Sequence, residues 1–140
     1  MRRSIGGVVL VLALAIAATG CDPDDPNPPT TPTDPLDPVT ETFTGTINTN
    51  GAVTFFFPAR GAGLVSGKLL SLTPDTTIGV SLALGTWNGQ LCQVTLANDA
   101  AIQGSTVTGA VSGVGTLCVR LSDIGQITQL QTFEIVVVHP

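Results

Sequence analysis

The chain has 140 residues, 11% of them charged and 43% hydrophobic, with ten acidic against five basic side chains and a net charge of −5. Beyond residue 20 only Arg60, Lys68 and Arg120 are basic, against ten acids, which disfavours nucleic acid and anionic surfaces as partners. A single histidine, His139, leaves little material for acid–base or metal chemistry.

The first element is an apolar run. Met1-Arg2-Arg3 is positive, and Ile5 to Ala18 is an apolar stretch of 14 residues with no polar face. A membrane-spanning helix wants about 20 apolar residues, so the run predicts a signal peptide over residues 1–20. At its end, Ala18-Thr19-Gly20-Cys21 resembles the lipobox of bacterial lipoproteins, with Ala18 where leucine is usual. The resemblance implies that Cys21 is thioether-linked to a diacylglycerol, becomes the N-terminus after cleavage, and is often acylated on its amine. Two or more acyl chains, at about 0.8 kcal/mol per buried CH₂, would anchor the protein durably. Membrane lipid, held through Cys21, is therefore an expected partner. The expected location is the bacterial cell envelope, facing the extracytoplasmic side, in the periplasm or at the cell surface.

Residues 21–40 form the next unit, the lipidated cysteine and an acidic linker. Positions 22–40 hold seven prolines, five aspartates and no basic residue. Proline fixes φ and removes backbone donors, so the composition predicts an extended, self-repelling spacer. At about 3.1 Å per residue such a spacer reaches roughly 60 Å. The aspartates of "DPDDPNP" lack the glycine turn and the distal glutamate of a calcium loop, so no metal site is expected there.

Residues 41–140 change character, becoming rich in Val, Leu, Thr and Gly. The hydrophobic period is two. Strands are predicted over 42–48, 52–57, 64–72, 77–84, 91–96, 105–112, 116–121 and 132–139. Val53, Phe55 and Phe57 share one face, as do Ile78, Val80, Leu82 and Leu84. Leu117, Val119 and Leu121 do the same, followed by Phe133, Ile135 and Val137. Turn signals such as "NTNG", "PARGAG", "TPD", "NGQ" and "SDIGQ" separate them. The fold class expected is all-β: a single antiparallel, jelly-roll-like sandwich of about eight strands, with no helix beyond the signal.

"GLVSGKLLSL", "TIGVSLALGTWNG", "SGVGTLCVRLSD" and "QTFEIVVV" resemble the bacterial pre-peptidase C-terminal domain over about 80 residues. Leu117 and Cys118 replace the two aromatics of that family's "GtYyvrV" strand, Val119-Arg120-Leu121 match the rest, and Phe133 replaces a tyrosine. The resemblance implies a non-catalytic sandwich appended to exported proteins, with a role in secretion, targeting or ligand contact.

With Cys21 given to lipid, Cys92 and Cys118 remain as a pair, and an oxidising compartment favours a disulfide between them. The alternation raises a conflict. Cys118 lies opposite Leu117, Val119 and Leu121, whereas Cys92 shares the apparently inner face of Val94 and Leu96. Either Cys92 precedes its strand or that face is misassigned.

No catalytic residue, metal site or cofactor is expected. His139 is the penultimate residue, beyond the last inward position assigned, where a fraying terminus would not hold an imidazole. Asp75, Asp99 and Asp123 fall in predicted turns, where aspartate bonds its own backbone. Trp87, with Asn88 in "GTWNGQ", is the one ligand-binding candidate. Loop aromatics stack on sugar faces, but a lone tryptophan capping the core edge beside the bridge is the plainer reading. The function expected is that of a non-catalytic lipoprotein with a structural, adhesive or ligand-binding sandwich. The other reading is a carbohydrate-binding module using Trp87. An envelope protein or a polysaccharide would be the further partner.

Overall fold

A computed structural model describes residues 35–140. The expected signal peptide, Cys21 and the expected linker as far as Asp34 lie outside the described residues. Where the sequence alternates, strands form: β1 (Val39–Ile47), β2 (Ala52–Ala59), β3 (Ala62–Thr73), β4 (Val80–Trp87), β5 (Cys92–Ala101), β6 (Thr106–Ser112), β7 (Gly115–Asp123) and β8 (Gln131–His139). All eight predicted strands are present, and no helix occurs among the described residues.

The strands make two antiparallel sheets, in the orders β1-β8-β3-β6 and β2-β7-β4-β5. Strand β1 pairs with β8, β2 with β7, β3 with β6 and β4 with β5. The chain thus runs as one long hairpin whose tip is the β4–β5 turn, wrapped so that alternate pairs fall in opposite sheets. This is the jelly-roll order of an eight-stranded sandwich.

The inward faces meet as the alternation requires. Leu69, Leu72, Phe133, Ile135 and Val137 come from the first sheet. Phe57, Val80, Leu82, Leu84, Val119 and Leu121 come from the second. Phe43 stacks on Phe55 with ring centroids 4.9 Å apart, and Phe55 meets Phe133 edge-on at 6.1 Å, closing one end of the core. Packing of this kind supplies most of the favourable free energy of a small sandwich, at about 25 cal/mol per Å² of apolar area removed from water.

Several boundaries differ from expectation for local reasons. Strand β1 begins at Val39, two residues ahead of the expected domain start at 41. The preceding residues already touch the sandwich: Arg60 Nη2 donates to the Asp37 carbonyl at 2.9 Å, and Leu36 lies against Gly61. Strand β4 begins at Val80 rather than residue 77, because Asp75 Oδ1 accepts bonds from the Thr77 N–H (2.9 Å) and hydroxyl (2.7 Å). That bonding holds the chain in a turn until Gly79, whose N–H donates to Gln126 Oε1 at 2.9 Å. Asp99 lies within β5, not in a turn, and accepts a 2.6 Å bond from the Ser81 hydroxyl.

His139 is the main correction. It closes β8 and is only 1% exposed. Its ring packs on Phe57 at 4.9 Å, and Nε2 lies 3.1 Å from Glu41 Oε1. The next residue is also tied down, since Arg60 N–H donates to the Pro140 carbonyl at 3.0 Å. The alternation of Phe133, Ile135 and Val137 simply continues one step further inward.

Candidate functional site: the outer face of the second sheet

The site is built from residues that alternate away from the core. On β7 the inward set is Leu117, Val119 and Leu121, so Cys118 and Arg120 point outward. On β2, Phe57 is inward and Phe56 outward, directly opposite Cys118. On β4, Val80, Leu82 and Leu84 are inward, so Ser81, Ala83, Gly85 and Trp87 are outward. Residues with these parities share one outer surface, because side chains alternate with a period of two.

Cys92 and Cys118 form the disulfide, with Cα atoms 5.8 Å apart and a sequence separation of 26. The bond joins β5 to β7 across the intervening β4, and two features make that span short. Gly85 has no side chain, and a Cβ there would overlap the backbone carbonyl of Gln93. Strand β5 therefore rides close over β4 at that point. The second feature is a register shift: Leu84 pairs with Leu96, but the next residue, Gly85, pairs with Val94. Thr95 is the extra residue of a β-bulge. Its insertion puts Leu96 on the inner face and Cys92 and Val94 on the outer one. The facing conflict posed by the sequence is thereby resolved. Cys92 is the first residue of β5, and its assignment to the inner face with Leu96 is the part to be corrected.

Trp87 pairs with Cys92 in the ladder and lies beside the bridge on the outer face. It is half-buried and stacks on Phe56, with ring centroids 5.4 Å apart and planes 18° from parallel. Phe56 is 62% exposed, Leu91 54% and Val94 44%. These three side chains and Trp87 give this face several exposed or half-exposed apolar groups. The disulfide lies beneath it, and Cys118 is fully buried there.

Beside the aromatic pair runs a groove of about 460 Å³. Ala52 and Thr54 form one side, Trp87, Gln90 and Leu91 the other, and Arg120 crosses it. Cys92 completes its lining, while Ala83 and Gly85, outward on β4, are buried and do not line it. Asn88, flagged with Trp87, is committed to the turn: its Oδ1 accepts the N–H groups of Gln90 (3.0 Å) and Leu91 (2.9 Å). It sets the path of Gln90 and Leu91 into the groove wall and has no free acceptor for a ligand on that atom.

Two of the aspartates hold turns away from this groove. Asp123 accepts N–H bonds from Asn50 at 2.8 Å and from Gly125, Gln126 and Ile127 at 2.9–3.0 Å. The Asn50 bond, followed by that of Ile127, holds its carboxyl below the usual carboxylate range. The Thr77 backbone bond, then the Thr77 hydroxyl, does the same for Asp75. Both serve the turns that the sequence assigned to them. Among the described residues no three His, Cys, Asp or Glu side chains cluster as a metal site would need.

The sequence singles out Trp87, and the structure sets Phe56 and Arg120 beside it. The signal for both was present, since assigning Val53, Phe55 and Phe57 inward leaves Phe56 outward, and the same step on β7 exposes Arg120. No family model matches the chain, and no curated protein matches it.

Proposed function

We propose that this protein is a lipid-anchored, non-catalytic binding module of the bacterial cell envelope. Cys21 carries the lipid, the acidic proline-rich linker spaces the sandwich from the membrane, and the outer face of the second sheet makes the contact. The observation that carries the binding role is the stacked, exposed Phe56–Trp87 pair, held on a disulfide-bonded sheet. Large aromatics exposed on a rigid surface cost solvation unless a partner covers them.

The non-catalytic reading is supported by the commitments of the ionisable side chains. His139 is buried against Phe57 and Glu41, and Asp75 and Asp123 hold turns. None of these lies at the groove. The resemblance to the pre-peptidase C-terminal domain agrees with an eight-stranded sandwich in the role of an accessory contact domain. Within this reading a carbohydrate is the favoured ligand class, because a stacked aromatic pair beside a groove suits the apolar face of a sugar ring.

The test is a fluorescence titration. Trp87 is the sole tryptophan, so its emission reports the groove without background. Adding polysaccharide extracted from the bacterial envelope to the membrane-extracted protein should change that emission saturably. An unresponsive tryptophan, with no retention of the protein on the immobilised polysaccharide, would contradict the reading.

A further inference from the structure

We infer that the groove beside Trp87 takes an acidic polysaccharide, with the Phe56–Trp87 pair stacking on a sugar ring and Arg120 pairing with a uronate carboxylate. The inference rests on the reading of this face as a carbohydrate-binding surface and adds the charge class of the ligand.

Arg120 is the observation that sets the class. It sits in the middle of β7, flanked in the ladder by Thr54 on β2 and Ala83 on β4, neither of which carries a charge. It is half-buried, and among the described residues it makes no ion pair; His139–Glu41 is the one such contact. Asp99, the acid on the same face, is bonded instead to Ser81. A central-strand guanidinium in contact with a groove is thus left without an anion. A neutral polymer's hydroxyl oxygens could accept from it but would leave its charge unpaired as it is desolvated. A carboxylate matches its planar fork and gives two charge-assisted bonds. The aromatic pair at the end of the same groove calls for a ligand that also has an apolar face. A polyuronate presents both features on each ring.

The acidity of the whole chain does not oppose this. Five of the ten acids, Asp22, Asp24, Asp25, Asp34 and Asp37, lie in the linker. No acid lines the groove.

The experiment uses the full-length lipidated protein in neutral detergent micelles. It is titrated with polygalacturonate, with alginate, and with polygalacturonate whose carboxylates are methyl-esterified. The readouts are Trp87 emission and calorimetry. Both acidic polymers should bind, and the ester at least tenfold more weakly, a factor of ten being about 1.4 kcal/mol. Arg120→Gln should weaken polygalacturonate by about tenfold and leave the ester unchanged, Arg120→Lys should fall between, and Trp87→Ala should abolish binding of all three by calorimetry. Thermal scans of each variant establish that the sandwich is intact. Equal affinity for acid and ester, with Arg120→Gln without effect, would overturn the acidic assignment and leave the carbohydrate surface standing. Inorganic polyphosphate binding as tightly as the polyuronates would overturn it in favour of a phosphate ligand. No response to any polymer, with a dimer that Trp87→Ala dissolves in sedimentation, would overturn both and assign the face to a second copy of the chain.

Discussion

Breaking the Cys92–Cys118 bond should cost this sandwich a large share of its stability. The bridge closes a loop of about 27 residues, which on the chain-entropy model contributes roughly 3.5 kcal/mol by restricting the unfolded chain. A domain of this size is stable by only about 5–15 kcal/mol. One kcal/mol shifts the melting temperature by about 4–8 °C at 60–100 residues, and residues 35–140 belong at the low end, so reduction should lower it by about 15 °C. The structure adds an asymmetry. Cys118 is fully buried beneath β5, whereas Cys92 is half-buried. Cys118→Ala should therefore lose the bridge and also leave a small void, falling below Cys92→Ala by about 0.5–1 kcal/mol. The double variant should match Cys118→Ala, not the sum, because the bridge can be lost only once. Thermal unfolding followed by circular dichroism, with and without reductant, gives the shifts. Thiol titration in denaturant gives the bond itself. Two titratable domain thiols in the unreduced protein, or a melting shift of only a degree or two on reduction, would refute the reasoning.

Three further perturbations test other joints of the fold. Gly85→Ala should destabilise by about 1–3 kcal/mol, because its Cβ meets the Gln93 backbone and not a side chain that could turn aside; an unchanged melting temperature would mean that β5 does not ride over β4 there. His139→Ala should cost about 2–4 kcal/mol in chemical denaturation, as expected for a large buried ring packed on Phe57, whereas a fraying terminal residue would cost nothing. Asp123→Asn should lower the melting temperature at neutral pH, since the carboxylate holds four backbone N–H groups. Its folded pKa lies below its unfolded value, so the stabilisation is complete above the usual carboxylate range and is lost as pH falls through the lowered value. The melting curves of Asp123→Asn and wild type should therefore converge in acid, and a gap that persists or widens there would contradict the assignment.

The strands were legible because nearly every one has one buried face, and a buried face enforces alternation. The pairing was not. Strands β1 and β8, or β2 and β7, are far apart in sequence, and no local signal says which distant strand is a neighbour. The bulge at Thr95 was hidden for a related reason. "LCQVTL" alternates perfectly, and an inserted residue leaves the pattern intact while moving half of it to the other face. The order of side chains along β5 thus misled where β2, β4 and β7 did not, since those strands keep one parity from end to end. His139 was readable in principle, as the fourth member of an inward odd-numbered series, but its polarity and terminal position argued for solvent. Its partner Glu41 lies at the other end of the domain sequence, so the contact that makes its burial tolerable was not visible. The groove shows the same division. Trp87 stood out as a residue type, whereas Phe56 and Arg120 became interesting only once β2 and β7 were known to be adjacent.

The account as a whole depends on the chain being tethered by Cys21 and displayed from a membrane. Intact-mass and peptide mass spectrometry of the protein extracted from bacterial membranes tests that most directly. The prediction is a mature N-terminus at Cys21 carrying a diacylglyceryl adduct, with Cys21→Ser either released from the membrane fraction or left with its signal uncleaved. A mature N-terminus at any other residue, with no lipid on Cys21, would contradict it.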